Sequence, residues 1–264
     1  EYALDDNPAT DEKVHHHIEE VQSRQSADKT GKSTISTMSF EIFYQRAMGI
    51  SEQAANDAHC ELLCSQRGTG VSFTPELPED AMALDEWWIE RITRRYQEAS
   101  PDWDSLGAVR VKLSGYALNS DAVVENLLEL AESGAVEPKE IWFDIYDSSA
   151  IADTHAASDR IEQLIEHGYR FCLDQFGTVR APFYLMKSLP VHMIKIDEGY
   201  VDALNSDDAD EGPTDSIVEV AHYLGKIVLA TSVDSAICLQ RMRKLGIDFV
   251  QGSTVADYER LGEV

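Results

Sequence analysis

Apolar residues along this chain follow two alternating patterns, a helical spacing and short continuous runs. Four helical stripes each end at a glycine, and a short apolar run follows that glycine at once. Glycine readily adopts the left-handed conformation that closes a helix, so each glycine marks a predicted helix end and each run a predicted strand. The glycines are Gly134, Gly168, Gly225 and Gly246, and the runs cover residues 141–146, 169–173, 227–230 and 247–250.

Four further apolar runs raise the number of predicted strands to eight, and another helical stripe lies among the early ones at Leu84, Trp88 and Ile92. Strands that alternate with helices predict an α/β fold, and eight of them predict a TIM-like (β/α)8 barrel. The first two runs are separated by too few residues for a crossover helix, so we expect that pair to be antiparallel. The further runs cover residues 41–45, 60–63, 109–113 and 193–196.

An open, doubly wound sheet is the alternative architecture, but no Gly-x-Gly-x-x-Gly segment follows the first predicted strand to make a dinucleotide site. Residues 1–36 are polar, and we expect them to form a linker or the tail of an upstream region. His15, His16 and His17 lie there without a partner motif, so we interpret them as a solvated run rather than a metal site. The barrel is then expected over residues 37–264.

The composition indicates a folded domain with a strongly acidic surface. The chain has 264 residues, 43% of them hydrophobic, and 22 Lys and Arg against 48 Asp and Glu give a formal net charge of −26. A surface of this charge repels a phosphate backbone, so general nucleic-acid binding is not expected. No apolar run is long enough to cross a bilayer. The acid excess is also compatible with a salt-adapted host.

The four cysteines are few and scattered, which is typical of a reducing compartment. We therefore expect a cytoplasmic location, either for the whole protein or for the cytoplasmic part of a larger, membrane-attached one. Cys60 and Cys64 lie in one predicted strand, where four residues of extended chain separate them by about 13 Å. One tetrahedral zinc ion cannot bridge that distance, so we interpret both as small buried residues.

Polar side chains lie in or directly after seven of the predicted strands. In a barrel, the residues where strands pass into the following loops meet at one end, so we expect these side chains to converge. A core would not tolerate so many polar groups without partners, and they therefore predict a site or the remnant of one. The predicted site residues are Glu61, Lys112, Asp147, Asp174, Gln175, Lys195, Asp197, Thr231 and Gln251.

Several short segments, in order and at matching spacing, carry a family resemblance. Glu61-Leu62-Leu63 stands in the second strand, Asp174-Gln175-Phe176-Gly177-Thr178 follows the fifth, and Ile194-Lys195-Ile196-Asp197 covers the sixth. Phe43-Tyr44-Gln45-Arg46-Ala47 opens the barrel and Gln251-Gly252 ends the eighth strand. The chain between about residues 42 and 252 resembles the EAL family of bacterial signalling domains. The resemblance implies an EAL-type barrel, and active members of that family hydrolyse cyclic di-GMP.

Active members are understood to hold two divalent cations, Mg or Mn, between carboxylates. At the matching positions, Lys112 replaces an Asn ligand, Gln175 replaces an Asp, and Thr231 replaces a Glu. Asp147 is one methylene shorter than the Glu it replaces. An ammonium would repel a dication, so we expect no bound metal, no cofactor and no catalytic residue. The positions that keep the family pattern are Glu61, Asp174, Lys195 and Gln251.

The ligand side of the site differs from the family as well. An Arg that contacts a ligand phosphate in the family falls at Ser65, and the loop after Thr178 has a different sequence. Whether Arg67 or Arg180 takes over that contact stays open. We expect Lys112 to pair with Glu61 or Asp174, filling the metal position with a fixed cation.

These features indicate a catalytically inactive EAL-type signalling module, either a cyclic di-GMP receptor or a protein-interaction adaptor. The alternative is a metal-dependent cyclic di-GMP phosphodiesterase, with Mg or Mn as its cofactor. We expect a protein partner or an upstream sensor or GGDEF-type domain, and a homodimer stays an open alternative.

Overall fold

The computed structural model describes residues 35, 38–52, 54, 59–69, 72–75, 77–98, 103, 105–178, 181, 183–204 and 210–261. The linker predicted over residues 1–36 lies outside this part of the chain except for Ile35, which is buried in the core. The histidines at positions 15 to 17 also lie outside it.

A nine-stranded sheet forms the centre of the described chain, and its first eight strands close into a barrel. Strands β2 to β8 follow one another in parallel, and β1 closes the ring by pairing antiparallel with both β2 and β8. The predicted barrel and its antiparallel first pair are therefore confirmed. The strands are β1 (Phe40–Gly49), β2 (His59–Gln66), β3 (Ala108–Ser114), β4 (Ile141–Tyr146), β5 (Arg170–Phe176), β6 (Met193–Ile196), β7 (Ile227–Ala230), β8 (Phe249–Val250) and a short β9 (Glu259–Arg260) beside β1.

Within the described part of the chain, seven α-helices accompany the strands. The four glycines expected to end helices all have positive φ angles, between 70° and 106°. Asp153 begins α3 by accepting hydrogen bonds from the backbone N–H groups of His155 and Ala156, as an N-cap does. No helix in the described ranges is long and apolar enough to cross a membrane. The helices are α1 (Pro78–Gln97), α2 (Asp121–Glu132), α3 (Thr154–Glu166), α4 (Phe183–Ser188), α5 (Glu198–Ala203), α6 (Gly212–Tyr223) and α7 (Ala236–Lys244).

The main hydrophobic core lies between the barrel and its helices. Alternate residues of each strand point to opposite faces. In β3, Val109, Val111 and Leu113 belong to this core, together with Cys60 and Cys64 of β2. Both cysteines are buried free thiols, as predicted.

The other face of the strands points into the barrel, and one end of its interior is filled by apolar side chains. His59 lies against this group, stacked on Trp142 with ring centroids 5.9 Å apart and tilted against Phe249 at 4.6 Å. Burial, with the charge of Arg110 acting in the same direction, lowers the pKa of His59 to about 3. We call this group the apolar plug, and it comprises Ala47, Ala54, Trp142, Cys172, Met193, Leu229 and Phe249.

Candidate functional site

A group of buried polar side chains lies one layer further along the barrel interior, toward the carboxyl ends of the parallel strands. Each member of the group on β4, β5 and β6 stands two residues after a plug residue, and this period of two keeps both on the inner face. Asp144, for example, follows Trp142, and Lys195 follows Met193. We call the group the charged cluster, and it comprises Glu61, Arg110, Asp144, Asp174, Lys195 and Gln251, all buried.

Lys195 lies among all three carboxylates of the charged cluster. Its Nζ donates a hydrogen bond to Glu61 Oε1 at 2.7 Å and lies 3.5 Å from both Asp144 Oδ2 and Asp174 Oδ1. Burial alone would lower the pKa of Lys195, but the three carboxylates outweigh it and raise that pKa. The lysine is therefore a permanent cation at the centre of the barrel mouth.

Arg110 supplies a second buried cation. Its side chain is 0% exposed, and its Nη1 lies 3.3 Å from Asp144 Oδ2. Nη2 donates to Gln251 Oε1 at 2.5 Å and lies 3.6 Å from Glu61 Oε2. Sequence reasoning missed this residue, although Arg110 stands two positions before Lys112 in an apolar run and therefore shares its inward face.

Gln251 links Arg110 and Glu61 to the first strand. Its amide Nε2 donates to Glu61 Oε2 at 2.9 Å and to Gln45 Oε1 at 3.0 Å, while its Oε1 accepts from Arg110. Gln45 in turn donates to the backbone carbonyl of Ala256 at 2.9 Å. These bonds orient the amide of Gln251 and keep Glu61 in place.

The pKa values of Glu61 and Asp144 shift in opposite directions. Burial would raise the pKa of Glu61, but Lys195 and Arg110 overcome it and hold that pKa well below its usual range. For Asp144 burial dominates, and the pKa rises to about 6 despite the same two cations. One oxygen of Asp144, Oδ1, has no hydrogen-bond partner among the described residues. Three formal carboxylates against two cations leave the cluster with a net charge of −1.

Four members of the cluster, Glu61, Asp174, Lys195 and Gln251, line an open cavity of about 500 Å³ at the mouth of the barrel, and Arg110 and Asp144 do not. All predicted site residues except Asp147 line this cavity. Four further carboxyl groups and an exposed tyrosine stand around it, so its wall is acidic. These are Asp197, Glu198, Asp234, Asp257 and Tyr258.

Lys112 lines the cavity without the ion pair expected for it. Among the described residues no carboxylate lies within ion-pairing distance of its ammonium, which instead lies 5.9 Å from the centroid of the Tyr146 ring. Glu61 and Asp174 are engaged by Lys195, and Glu61 also lies beside Arg110. The fixed cations of the cluster are therefore Lys195 and Arg110.

Asp147 has a local structural role. It adopts a left-handed conformation with φ 47° directly after β4, at the start of a short 3-10 turn. Its Oδ1 accepts a hydrogen bond from Ser149 Oγ at 2.8 Å. The carboxylate is thus bound to its own turn, and it does not line the cavity.

The conformation of the loop after β5 requires a glycine at position 177. Gly177 has φ 96°, and a Cβ atom there would lie 2.5 Å from the ring of Tyr200. The Tyr200 hydroxyl donates to the carbonyl of Gly177 at 3.2 Å. Gln175, two residues before Gly177, has φ 54°, and its Oε1 is buried without a partner among the described residues.

The position expected to hold a phosphate-binding Arg has a different environment. Ser65 is buried, and its hydroxyl donates to the carbonyl of Gln66 at 3.3 Å and lies 3.1 Å from Thr69 Oγ1. Arg180 lies outside the described residues.

Carboxylate oxygens of Glu61, Asp144 and Asp174 lie within 4.8 Å of one another, a spacing that a shared cation could use. Each of these residues has an oxygen within 3.5 Å of Lys195 Nζ, so an ammonium already lies among them. Carboxylate oxygens are suitable ligands for a hard cation such as Mg²⁺. They also accept charge-assisted hydrogen bonds from nitrogen cations, and here Lys195 and Arg110 lie beside them.

Relatives of this chain are cyclic di-GMP signalling proteins. It is 24% identical over 181 residues to cyclic di-GMP phosphodiesterase PdeB of Shewanella oneidensis, covering 69% of this chain and 20% of that protein. It is 24% identical over 173 residues to the bifunctional diguanylate cyclase/cyclic di-GMP phosphodiesterase MucR of Pseudomonas aeruginosa, covering 64% of this chain and 25% of that protein. The chain thus spans about a fifth to a quarter of the length of these relatives.

Solved structures share the fold at lower identity. The EAL domain of FimX from Pseudomonas aeruginosa bound to cyclic di-GMP gives a TM-score of 0.69 at 20% identity, covering 85% of this chain and 93% of that one. The EAL enzyme Bd1971 in a cAMP-bound form gives 0.71 at 18% identity, covering 95% and 70%. A model of the EAL domain family matches residues 70–258. The chain therefore belongs to the EAL domain family.

Proposed function

We propose that this chain is an EAL-type signalling module that does not hydrolyse cyclic di-GMP. The observation that carries the proposal is the charged cluster, in which Lys195 and Arg110 already neutralise most of the charge of the three carboxylates. Lys112, Gln175 and Thr231 line the cavity where the resemblance places an amide and two carboxylates.

The residues do not fit a pair of divalent cations. At about 4 Å and an effective dielectric constant of about 20, a dication and an ammonium repel each other by about 8 kcal/mol before any carboxylate attraction is counted. Two dications added to a cluster of net charge −1 would leave it strongly positive in a buried site. Catalysis that generates hydroxide on a metal has no support from this arrangement.

A receptor for cyclic di-GMP is the first way in which the module could act. FimX, a protein of the same fold, was solved with cyclic di-GMP bound. In this chain the acidic wall of the cavity repels a dianionic ligand, and Ser65 offers no charge-assisted contact, which is worth roughly 1.5 to 3 kcal/mol. We therefore propose weak binding that does not need metal.

Action through a protein partner is the second way. MucR is named a bifunctional diguanylate cyclase/cyclic di-GMP phosphodiesterase, and the region it shares with this chain is 25% of its length. We propose a protein partner or a sensor or GGDEF-type domain for this chain as well, and a cytoplasmic location in keeping with its buried free thiols.

Phosphodiesterase activity is the competing function. It is favoured by the spacing of Glu61, Asp144 and Asp174 and by the relatives named phosphodiesterases. Calorimetric titration with cyclic di-GMP, with and without Mn²⁺, followed by chromatography of the same mixture, separates the functions. We expect intact nucleotide and weak, metal-independent heat of binding. Linear product formed only with Mn²⁺ would overturn the proposal.

A further inference from the structure

Arg110 is an unusual occupant of a barrel interior. A guanidinium with no exposed surface costs several kcal/mol to desolvate, and only well-placed anionic partners offset that cost. Arg110 has two such partners, Asp144 and Glu61, and a third contact to Gln251. Its position is therefore fixed by the same oxygens that make the cluster attractive to cations.

Three carboxylate oxygens that a divalent ion could use are occupied by nitrogen groups, whereas Asp144 Oδ1 has no partner among the described residues. Asp144 Oδ2 lies 3.3 Å from Arg110 and 3.5 Å from Lys195. Glu61 Oε2 accepts from Gln251 at 2.9 Å and lies 3.6 Å from Arg110, while Oε1 accepts from Lys195. A metal ion that used these three oxygens would have to displace at least one of the two cations.

We propose that Arg110 is the resident cation of this barrel: it completes the charged cluster and excludes a divalent ion from Glu61, Asp144 and Asp174. The inference deepens the proposed non-hydrolytic function and rests on it for its biological meaning. Lys112, on which sequence reasoning placed this role, lies outside the cluster beside Tyr146.

Charge balance singles out Arg110 rather than Lys195. Lys195 belongs to a segment that matches the family pattern, so its ammonium does not set this chain apart. Without Arg110 the cluster would hold three carboxylates and one ammonium, a net charge of −2 that one divalent ion neutralises. Carboxylate oxygens are the ligands that Mg²⁺ and similar hard cations take in proteins.

The test compares metal binding by the wild-type chain and by Arg110→Met, a neutral side chain of similar length. Bound Mn²⁺ is counted by loss of the free-ion electron paramagnetic resonance signal, and thermal unfolding is followed in Mn²⁺ and in EDTA. We expect the wild type to show neither binding nor a shift. We expect Arg110→Met to bind Mn²⁺ at least about tenfold more tightly than any residual binding by the wild type, and to unfold at a higher temperature in Mn²⁺ than in EDTA.

Three variants serve as controls. Arg95→Met removes another buried guanidinium, one that contacts Gly107 and Glu140 outside the cluster, and should gain no metal. Arg110→Lys keeps the positive charge and should gain little. Adding Glu61→Gln to Arg110→Met should abolish the gained binding.

Two results would overturn the inference. One is Mn²⁺ binding by the wild-type chain that is lost in Glu61→Gln. The other is a folded Arg110→Met that gains no Mn²⁺ binding; if this variant unfolds in EDTA, failure of Mn²⁺ to restore its fold counts in the same way. Hydrolysis is scored separately. Turnover by the wild type without bound metal ends only the proposed function, whereas an Arg110→Met variant that gains no Mn²⁺ binding ends only this inference.

Discussion

The apolar plug and the charged cluster are built by the same strands, two residues apart, yet they fill the barrel with opposite chemistry. On β4, Trp142 packs into the plug and Asp144 pairs with Arg110; on β6, Met193 packs and Lys195 pairs with carboxylates. Two residues further along each of these strands, the interior contacts change from van der Waals packing to ion pairs.

The two layers differ in what they contribute. Burying apolar side chains stabilises the barrel directly, by about 1.5 to 3 kcal/mol for a large residue. Ion pairs in the interior add little net stability, because desolvation of both groups offsets their attraction. Removing one partner is nevertheless strongly destabilising, because it leaves an unpaired buried charge. We therefore expect the plug to contribute most to the stability of the fold, and the charges of the cluster to affect which ions and ligands bind at the mouth of the barrel.

The largest effect is expected in the plug. Phe249→Ala should lower the free energy of unfolding by about 3 to 5 kcal/mol, because it removes a large, buried side chain that packs against His59. Urea denaturation measures this loss. We expect the same loss in EDTA and in Mn²⁺, and a loss below about 1 kcal/mol would show that the plug is loosely packed.

A loss of similar size but different character is expected in the cluster. Lys195→Met should cost about 3 to 5 kcal/mol in EDTA, because three buried carboxylates are left with Arg110 alone. Adding Asp144→Asn should recover part of this loss, which no second substitution does for the plug. Lys244→Met, at an exposed ion pair with Glu211, is the control and should cost less than about 1 kcal/mol. A double variant with a lower free energy of unfolding than Lys195→Met alone would contradict the pairing of Lys195 with Asp144.

The pH dependence tests the buried imidazole of His59 beside the plug. His59 is neutral in the fold because its pKa is lowered to about 3, so its contribution to stability is present above about pH 6.5 and is lost as the pH falls toward 3. His59→Phe should therefore lose about 2 to 3 kcal/mol less than wild type between pH 7 and pH 4.5. Urea denaturation at both pH values checks this, with His155→Phe at an exposed position as the control. Equal losses of unfolding free energy in wild type and His59→Phe would show that another titratable group causes the instability at low pH.

The smallest effect concerns the acidic wall of the cavity. Glu198→Gln with Asp257→Asn should raise the affinity for cyclic di-GMP by several-fold, about 0.5 to 1 kcal/mol, at low ionic strength. The gain should shrink in high salt, because exposed charges are screened. Calorimetry measures it, and Glu219→Gln on α6 is the matched control. A gain that persists in high salt would point to contacts rather than charge.

The barrel itself follows from local patterns in the sequence. The apolar runs and helix-ending glycines predicted the strands and their order, because alternation and turn chemistry are local. β1 is longer than predicted, Phe40–Gly49 rather than 41–45, since it pairs along its length with two neighbours. Which inward-facing residues share the mouth was also predictable, apart from Asp147, which binds its own turn.

The pairing of charges was not predictable. Arg110 and Lys112 share one face of β3, and nothing local tells which of them meets the carboxylates of β2 and β4. Barrel closure decides it, because it sets the depth at which each side chain points inward. Arg110 is the register partner of Trp142, yet its side chain reaches Asp144. Lys112 is the register partner of Asp144, but its ammonium lies beside the Tyr146 ring.

The most direct test of the cation-filled cluster is diffraction from crystals of the wild-type chain grown with Mn²⁺ and cyclic di-GMP, measured for the anomalous signal of manganese. We expect no anomalous peak among Glu61, Asp144 and Asp174, with Arg110 and Lys195 still in contact with those carboxylates and the nucleotide intact. A manganese peak within coordination distance of the three carboxylates, with the Arg110 side chain displaced, would contradict the account.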